Sequence, residues 1–365
     1  MVKNLIMRYA RKAYTSFATH IYDVPSRMLA LLLLITIASL PYIGIIPTLR
    51  LSIFSSANLI AILAVSWDLL VGRTGQISLG HALFYGIGAY ATALLFKYFE
   101  WPPWVTIPIS IIAGMGVALI IGLICLRFKG PYLALVTMAF PLAIVGFFYY
   151  YRDIFKGETG LSLARAEILP GLLVRQRAIA NYYLTLALLI VSSIIIYKIA
   201  TSKTGMVFIS ILDDELGAKA CGINPTKYKL LSFAISGIFG SLAGAFSAHI
   251  TRSANPRYFI EKTAVIPTEF SIIPIVATIL GGIGTIYGPI VGTYIYYVLN
   301  DYVFQYLIPV DPSLKILVFM IIVVMLLIKW PRGIARTIVE KLEDLEEPRE
   351  VEEILGKKSE GKEKS

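Results

Sequence analysis

The sequence is poor in the residues that build disulfide frameworks, metal centres and catalytic sets. Its 365 residues include two cysteines and three histidines, and only 15% are charged. Cys125 and Cys221 lie far apart, so they predict neither a disulfide framework nor a metal site. The phosphate-binding pattern Gly-x-x-x-x-Gly-Lys-Ser/Thr is absent, and no nucleophile–base arrangement stands out. We therefore expect no enzyme, no metal and no cofactor bound by this chain.

Apolar residues are abundant instead. They make up 57% of the chain, the mean hydropathy is +0.74, and several runs approach the ~20 residues that cross a bilayer. Because these runs are continuous rather than alternating, they predict helices and not barrel strands. The net charge of +10 comes mostly from loops beside apolar runs, where membrane topology explains it without nucleic acid. The expected fold class is all-α: a polytopic helical membrane protein with about 8–10 transmembrane helices.

The apolar runs divide the chain into three parts. Residues 1–27 are a basic amphipathic segment, residues 28–335 the transmembrane domain, and residues 336–365 a charged tail. The predicted spans are about 28–46, 52–72, 76–96, 104–126, 132–151, 181–200, 230–250 and 313–330, with a polar loop at 201–229. The apolar stretch 270–309 is either two crossings or a broken, re-entrant helix, since it contains Gly281, Gly282, Gly284, Gly288 and Pro289.

Lysine and arginine in the loops give the predicted orientation. With a cytoplasmic N-terminus, the cations at 127–129 and in the 198–229 loop are cytoplasmic too. An even number of crossings brings Arg332 and Arg336 to the same side, which places both termini in the cytoplasm of a multi-pass cell-membrane protein. The loop at 152–180 conflicts with this rule, because it carries five Lys/Arg and falls outside.

A polar island at 213–224 separates two apolar segments. Asp213 is a suitable N-cap and Gly222 a suitable stop, so we expect a helix of about 8–9 residues, followed by a new helix at Asn224-Pro225. One interpretation is an amphipathic helix on the bilayer surface. The other is a docking helix, which the three consecutive acids favour, because they suit a protein partner that offers Arg or Lys better than an anionic lipid surface.

Polar residues also stand at the start of the predicted third span. Gln76, Ser78 and His81 either line a translocation path or tie this helix to its neighbour. Asp68, near the end of the second span, lies at the interface or accepts a hydrogen bond from Gln76 or Arg73.

Small residues recur every fourth position in several spans. Such stripes predict close helix packing, or helices that slide and tilt against one another. The stripes comprise Ser232, Ser236, Gly240, Gly244 and Ala248; Gly114, Ala118 and Gly122; Ser78, Ala82 and Gly86; and Gly284, Gly288 and Gly292.

Several separated stretches together resemble the integral-membrane permeases of the branched-chain amino acid ABC transporter family, of the LivM type. They are Ser66 to Leu95, Gly130 to Thr137, Asp213 to Lys229, Leu280 to Pro289 and the ending Pro331-Arg332-Gly333-Ile334, spread over most of residues 60–335. Three features depart from the family. Asp68 stands where Asn is more usual, the loop at 157–161 is poorer in glycine, and the charged tail after residue 340 is longer than expected.

The resemblance implies that the third stretch is a cytoplasmic coupling loop, in which Glu215 begins a short helix and Gly222 closes it. The implied coupling residues are Asp213, Asp214, Glu215, Ala218 and Gly222. It further implies an importer of leucine, isoleucine or valine, with a second related permease, two ABC ATPase subunits that use ATP, and an extracytoplasmic amino-acid-binding protein.

Two other functions remain open at this stage. An ion-coupled secondary transporter would use the 281–289 break as a midplane site and would need an intramembrane charge, for which Asp68 is the candidate. A membrane enzyme is third, because no convergent catalytic set supports it.

Overall fold

A computed structural model describes residues 51–128, 130–163, 165–259, 269–300 and 312–344, together with Ile37 and Ser39. In chain order its helices are α1 (Leu51–Thr74), α2 (His81–Phe99), α3 (Pro103–Cys125), α4 (Pro131–Tyr150), α5 (Arg152–Phe155), α6 (Val174–Ala200), α7 (Lys203–Asp213), α8 (Glu215–Ala220), α9 (Pro225–Thr251), α10 (Glu269–Gly281), α11 (Tyr287–Tyr297), α12 (Pro312–Lys329) and α13 (Ile334–Asp344). Two short strands, β1 (Leu161–Ser162) and β2 (Ser253–Ala254), pair antiparallel. The predicted segment 1–27, most of the predicted span 28–46 and the tail beyond 344 lie outside the described residues.

The expected all-α polytopic class is confirmed. Over the described ranges, six helices are long and apolar enough to cross a membrane, namely α1, α2, α3, α4, α6 and α9. In the apolar 18-residue stretch of α1, 89% of the residues are buried inside the protein. In the corresponding stretches of α3, α4 and α6 only 33% are buried, and these helices expose large apolar side chains. Helix α1 is therefore the centre of the bundle, and α3, α4 and α6 are suited to contact lipid.

Two helix starts differ from the sequence prediction. Helix α2 begins at His81 and not near 76, because Gly75 takes a left-handed φ of +68° and Thr137 Oγ1 accepts the Leu79 backbone N–H at 3.0 Å. Helix α6 begins at Val174 and not near 181, since Gln176 Oε1 accepts the Leu173 N–H at 3.3 Å and starts the helix in polar surroundings. In both cases side-chain hydrogen bonds decide the boundary, and hydropathy alone does not register them.

Helix α9 crosses α2 and α3 at backbone contact. A Cβ added at Gly244 would lie 1.8 Å from the carbonyl oxygen of Tyr85, and one at Gly88 would lie 2.1 Å from that of Ser241. On the neighbouring face, a Cβ at Gly237 would lie 2.3 Å from that of Ala118. The structure therefore supports the interpretation of the small-residue stripes as close helix packing. Gly237 and Ser241 form a second small-residue face on α9, which the predicted stripe at every fourth residue did not include.

Helices α10 and α11 form an antiparallel hairpin. A Cβ at Gly281 would lie 1.7 Å from the Gly288 carbonyl oxygen, and one at Gly292 would lie 1.8 Å from that of Ala277. The chain thus reverses at residues 282–286 instead of continuing as one broken helix. The other ends of the hairpin lead into 260–268 and 301–311, outside the described residues, so its number of crossings stays a prediction.

The hairpin turn lies at the end of α1 and not midway along the bundle. Asp68 Oδ1 accepts the Gly284 backbone N–H at 2.7 Å, and a Cβ at Gly72 would lie 2.8 Å from Gly284 Cα. Helix α13, which includes the start of the predicted tail, packs here too, because a Cβ at Gly282 would lie 2.9 Å from Arg336 Cβ. Asp68 therefore bonds to Gly284, and not to Gln76 or Arg73 as the sequence suggested.

The opposite end of the bundle carries the 152–173 loop. Glu167 makes ion pairs with Arg177 at 3.0 Å and with Arg252 at 3.5 Å. The Ala166 carbonyl lies 2.8 Å from His249 Nδ1, and the β1–β2 pair adds a second attachment. Of the five cations in the 152–180 loop, Arg177 is thus paired within the protein, which offsets part of the charge that conflicted with the orientation rule.

Asn58 joins three helices in the core. Its Nδ2 donates to Thr185 Oγ1 at 3.0 Å, and the Tyr294 hydroxyl donates to its Oδ1. Because Asn58 is fully buried, Asn58→Leu should lower the stability by about 1–2 kcal/mol. Thermal denaturation of detergent-solubilised protein would measure this. The double variant with Tyr294→Phe should lose less than the sum of the single losses, and strict additivity would contradict the network.

Candidate functional site

The polar island contains one complete helix, which has six residues and is shorter than the 8–9 residues predicted. Helix α7 ends at Asp213, Asp214 is extended with φ −151° and ψ 105°, and α8 spans the six residues Glu215–Ala220. Asp214, and not Asp213 as predicted, is the N-cap, since its Oδ1 accepts the Leu216 N–H at 2.9 Å. Asp and Asn are among the best N-caps, and the sequence offers two adjacent aspartates, so only the backbone turn distinguishes them.

The end of α8 and the start of α9 follow the expected pattern. Gly222 has a φ of +81°, and the Ile223 N–H donates to the Ala218 carbonyl at 3.0 Å. Asn224 Oδ1 then accepts the Lys227 N–H at 3.2 Å, and Pro225 is the first residue of α9. A residue with a Cβ is disfavoured at the φ of Gly222, which explains a glycine there.

Helix α8 presents a mixed surface. Ala218 faces inward at 5% exposure, while Leu216 is 74% exposed. Glu215 is already paired, because its Oε2 accepts from Lys229 Nζ at 2.8 Å. The outward charges of the island therefore include Asp213 and Asp214. The exposed Leu216 is a candidate contact residue that sequence reasoning missed, since a single leucine at the second helix position gives no pattern.

Helix α7 anchors the island to the bundle. Phe208 is fully buried and meets the ring of Tyr228 edge-on at 6.4 Å, and Ile211 is 3% exposed. The island is thus a capped, six-residue helix on a firmly packed support. A helix so short is not stable alone in water and depends on this support.

The three residues predicted for a translocation path are buried among helices. Gln76 Nε2 donates to Thr74 Oγ1 at 3.0 Å and to Ser232 Oγ at 3.3 Å. His81 Nε2 lies 2.8 Å from Ser236 Oγ. The Ser78 hydroxyl accepts the Gly80 N–H at 3.3 Å. In this conformation Gln76 and His81 tie the start of α2 to α9 and Ser78 supports the backbone that leads into it, so a role in the path stays a prediction.

The glycine-rich break does not join these polar residues. Gly281 and Gly288 bring α10 and α11 together, and Gly282 and Gly284 take left-handed φ values of +125° and +81° in the turn. Thr285 Oγ1 accepts the Gly288 N–H at 3.2 Å. The break lies at the α7–α8 end of the bundle, because Gly284 is next to Gly72 near the end of α1, where Leu212 of α7 is next to Gly75. Among the described residues, no group of three His, Cys, Asp or Glu is placed to hold a metal ion.

A bundle of apolar helices around a buried central helix, with a short capped helix exposed at one end, is the architecture of a polytopic helical membrane protein. The family described as "Branched-chain amino acid transport system / permease component" matches residues 49–328. The chain belongs to this family, which confirms the resemblance seen in the sequence.

Curated relatives agree with the family. The chain is similar to the high-affinity branched-chain amino acid transport system permease protein LivM of Salmonella typhimurium, with 27% identity over 54% of this chain and 52% of the relative. LivM of Escherichia coli matches to the same extent. The probable branched-chain amino acid transport permease protein LivH of Methanocaldococcus jannaschii is 24% identical over 69% of this chain and 79% of that protein. The chain spans about half the length of the two LivM relatives it matches, and no solved structure matches it.

Proposed function

We propose that this chain is the substrate-conducting permease subunit of an ATP-driven ABC importer for leucine, isoleucine or valine. The observation that carries the proposal is α8, a capped and outward-facing helix between the two long apolar helices α6 and α9, in a chain of this family. A short helix that is anchored by Phe208 and exposes Leu216 and two aspartates is suited to enter a groove on a separate protein.

The other parts of the transporter follow from this role. Two separate ABC ATPase subunits bind and hydrolyse ATP, since this sequence has no phosphate-binding loop, and their closure moves the coupling helices. A second related permease completes the pathway, and an extracytoplasmic binding protein delivers the amino acid. The α7–α8 end and both termini face the cytoplasm.

An ion-coupled secondary transporter is less well supported. That function requires the 281–289 break to form a midplane site. The turn instead lies at the end of α1, beside Gly72 and Gly333, and the carboxylate of Asp68 accepts a backbone hydrogen bond from Gly284. Asp68 in this region therefore has a structural role, because it attaches the hairpin turn to α1.

Uptake of radiolabelled leucine into proteoliposomes tests the proposal. The complete transporter is reconstituted with ATP inside or without it, and with leucine and binding protein outside. Wild-type uptake should require internal ATP. Leu216→Asp should abolish it and release the ATPase subunits on purification, because it places a charge on the exposed apolar side chain and leaves the backbone hydrogen bond from residue 216 to Asp214 in place.

A charge swap separates docking from internal support. Glu215→Lys should abolish ATP-dependent uptake, but it also breaks the ion pair with Lys229. The double variant Glu215→Lys/Lys229→Glu restores that pair, so recovery of uptake would assign Glu215 an internal role, and continued loss would assign it to the ATPase contact. Uptake that ignores ATP and follows an ion gradient would contradict the proposed function.

A further inference from the structure

The segment between α1 and α2, residues 75–80, turns back into the bundle before α2 begins. Ser236 Oγ donates to the Ser66 carbonyl at 2.6 Å and also lies 2.8 Å from His81 Nε2, so His81 is level with Ser66. Ser66 is eight residues before the end of α1, which corresponds to about 12 Å along the helix. We call residues 75–80 the α1–α2 joint. Helix α2 therefore starts deep inside the protein, and the joint is its only covalent connection to the end of α1.

The joint is held firmly at its inner part. Trp67 Nε1 donates to the Ser78 carbonyl at 2.7 Å, Thr137 Oγ1 accepts the Leu79 N–H at 3.0 Å, and Ser271 Oγ accepts the Ala82 N–H at 3.0 Å. These contacts attach the beginning of α2 to α1, α4 and α10. A displacement of the inner joint is thus passed to α2 as a unit.

Gly75 forms the outer end of the α1–α2 joint, and Leu212 of α7 lies next to it. Leu212 is the penultimate residue of α7 and stands two residues before the cap of α8. A Cβ at Gly75 would lie 2.9 Å from Leu212 Cδ1, and Gly75 has a φ of +68°. The absence of a side chain at Gly75 lets Leu212 rest directly against the backbone of the joint.

The residues on either side of Gly75 are attached to α9. Thr74 Oγ1 lies 3.4 Å from Ser232 Oγ, and Gln76 Nε2 donates to the same hydroxyl at 3.3 Å. Gly75 thus lies between two residues, Thr74 and Gln76, that are hydrogen-bonded to α9, and its remaining side faces Leu212 of α7. A left-handed glycine tolerates larger backbone rotations than any other residue, so it is suited to act as a pivot.

We propose that the contact of Leu212 with Gly75 passes the movement of the α7–α8 unit to α2, and that both are positioning residues for transport. The inference rests on the proposed function, because it takes α8 as the helix that the ATPases move. The role of these two residues is to convert a displacement at the surface into a displacement of α2 inside the bundle.

The test measures leucine transported per ATP hydrolysed by the complete transporter in proteoliposomes. Leu212→Ala removes the contact and should lower this ratio about tenfold, while the ATPase rate and the bound ATPase subunits persist. Leu212→Met refills the space and should restore the ratio. Leu231→Ala, with 39% exposure against 42% for Leu212, is the matched control and should behave as wild type.

Gly75→Ala tests the other side of the contact and should also lower the ratio. Gly171→Ala is its control, because Gly171 has a φ of +83° and nothing lies within 4 Å of its added Cβ. If the Leu212→Ala permease itself does not fold, the smaller change Leu212→Val is tested by the same ratio of leucine transported to ATP hydrolysed.

Two results would overturn the proposal: a normal ratio in Leu212→Ala, or loss of the ATPase subunits, which would assign Leu212 to docking. A wild type whose uptake is independent of ATP would instead contradict the proposed function itself. The two failures are therefore distinguishable.

Discussion

Replacing Gly244 with leucine should prevent the bundle from assembling. Even the first atom of a side chain at this position would lie 1.8 Å from the carbonyl oxygen of Tyr85. Helices α2 and α9 would have to separate by more than about 1 Å to relieve that contact, and interiors packed at this density do not yield so far. Because the contact is with backbone, no rotamer change offers relief, and we expect a loss above about 3 kcal/mol.

The measurement is the fraction of folded, monodisperse protein after detergent extraction, together with its thermal midpoint. Gly146→Leu is the control, because Gly146 is exposed in α4 and nothing lies within 4 Å of its added Cβ. Gly244→Ala should fall between the two. A Gly244→Leu protein as stable as Gly146→Leu would show that the α2–α9 contact is looser than described.

Asp68→Asn should preserve the protein, whereas Asp68→Leu should not. The structure uses Asp68 as an acceptor for the Gly284 N–H, and an asparagine carbonyl oxygen serves equally at that position. Leucine leaves this N–H without its acceptor, which costs about 1–3 kcal/mol and loosens the hairpin turn from α1.

Uptake and thermal midpoint should be measured together for both variants. Gly72→Ala is a second probe, since its Cβ would lie 2.7 Å from Asp68 Oδ1 and would weaken the same contact without changing charge. It should resemble Asp68→Leu. If Asp68→Asn abolishes uptake while the midpoint is unchanged, the carboxylate itself is needed, and the ion-coupled alternative regains support.

The sequence predicted the class of fold because hydropathy acts locally. The apolar run at 104–126 corresponds to α3, Pro103–Cys125, since proline is favoured at the first position of a helix and the apolar residues end near Arg127. The same reasoning did not find the start of α2. There, Trp67 donates to the Ser78 carbonyl and Thr137, 58 residues from Leu79, accepts the Leu79 N–H, and these bonds hold 75–80 out of a helix.

The position of the candidate site along the chain could be predicted from the sequence, but its contacts with distant residues could not. Turn chemistry located the polar island, because Gly222 and Asn224-Pro225 are strong local signals. The pairing of Glu215 with Lys229 depends on how α8 folds back toward α9, and the contact of Leu212 with Gly75 joins positions 137 residues apart. One sequence contains no record of such distant pairs.

The burial of α1 has a consequence for biosynthesis. Its polar residues Asn58, Ser66 and Asp68 are bonded to Thr185, Tyr294, Ser236 and Gly284, all more than 100 residues further along the chain. A chain emerging from the ribosome therefore places α1 in the membrane well before its partners exist. Until the second half of the protein is made, the Asn58 amide and the Asp68 carboxylate must bond to water, lipid headgroups or the insertion machinery. Final assembly is thus a late event, and a nascent chain released before α9 and α11 are made would carry those polar groups exposed to the bilayer.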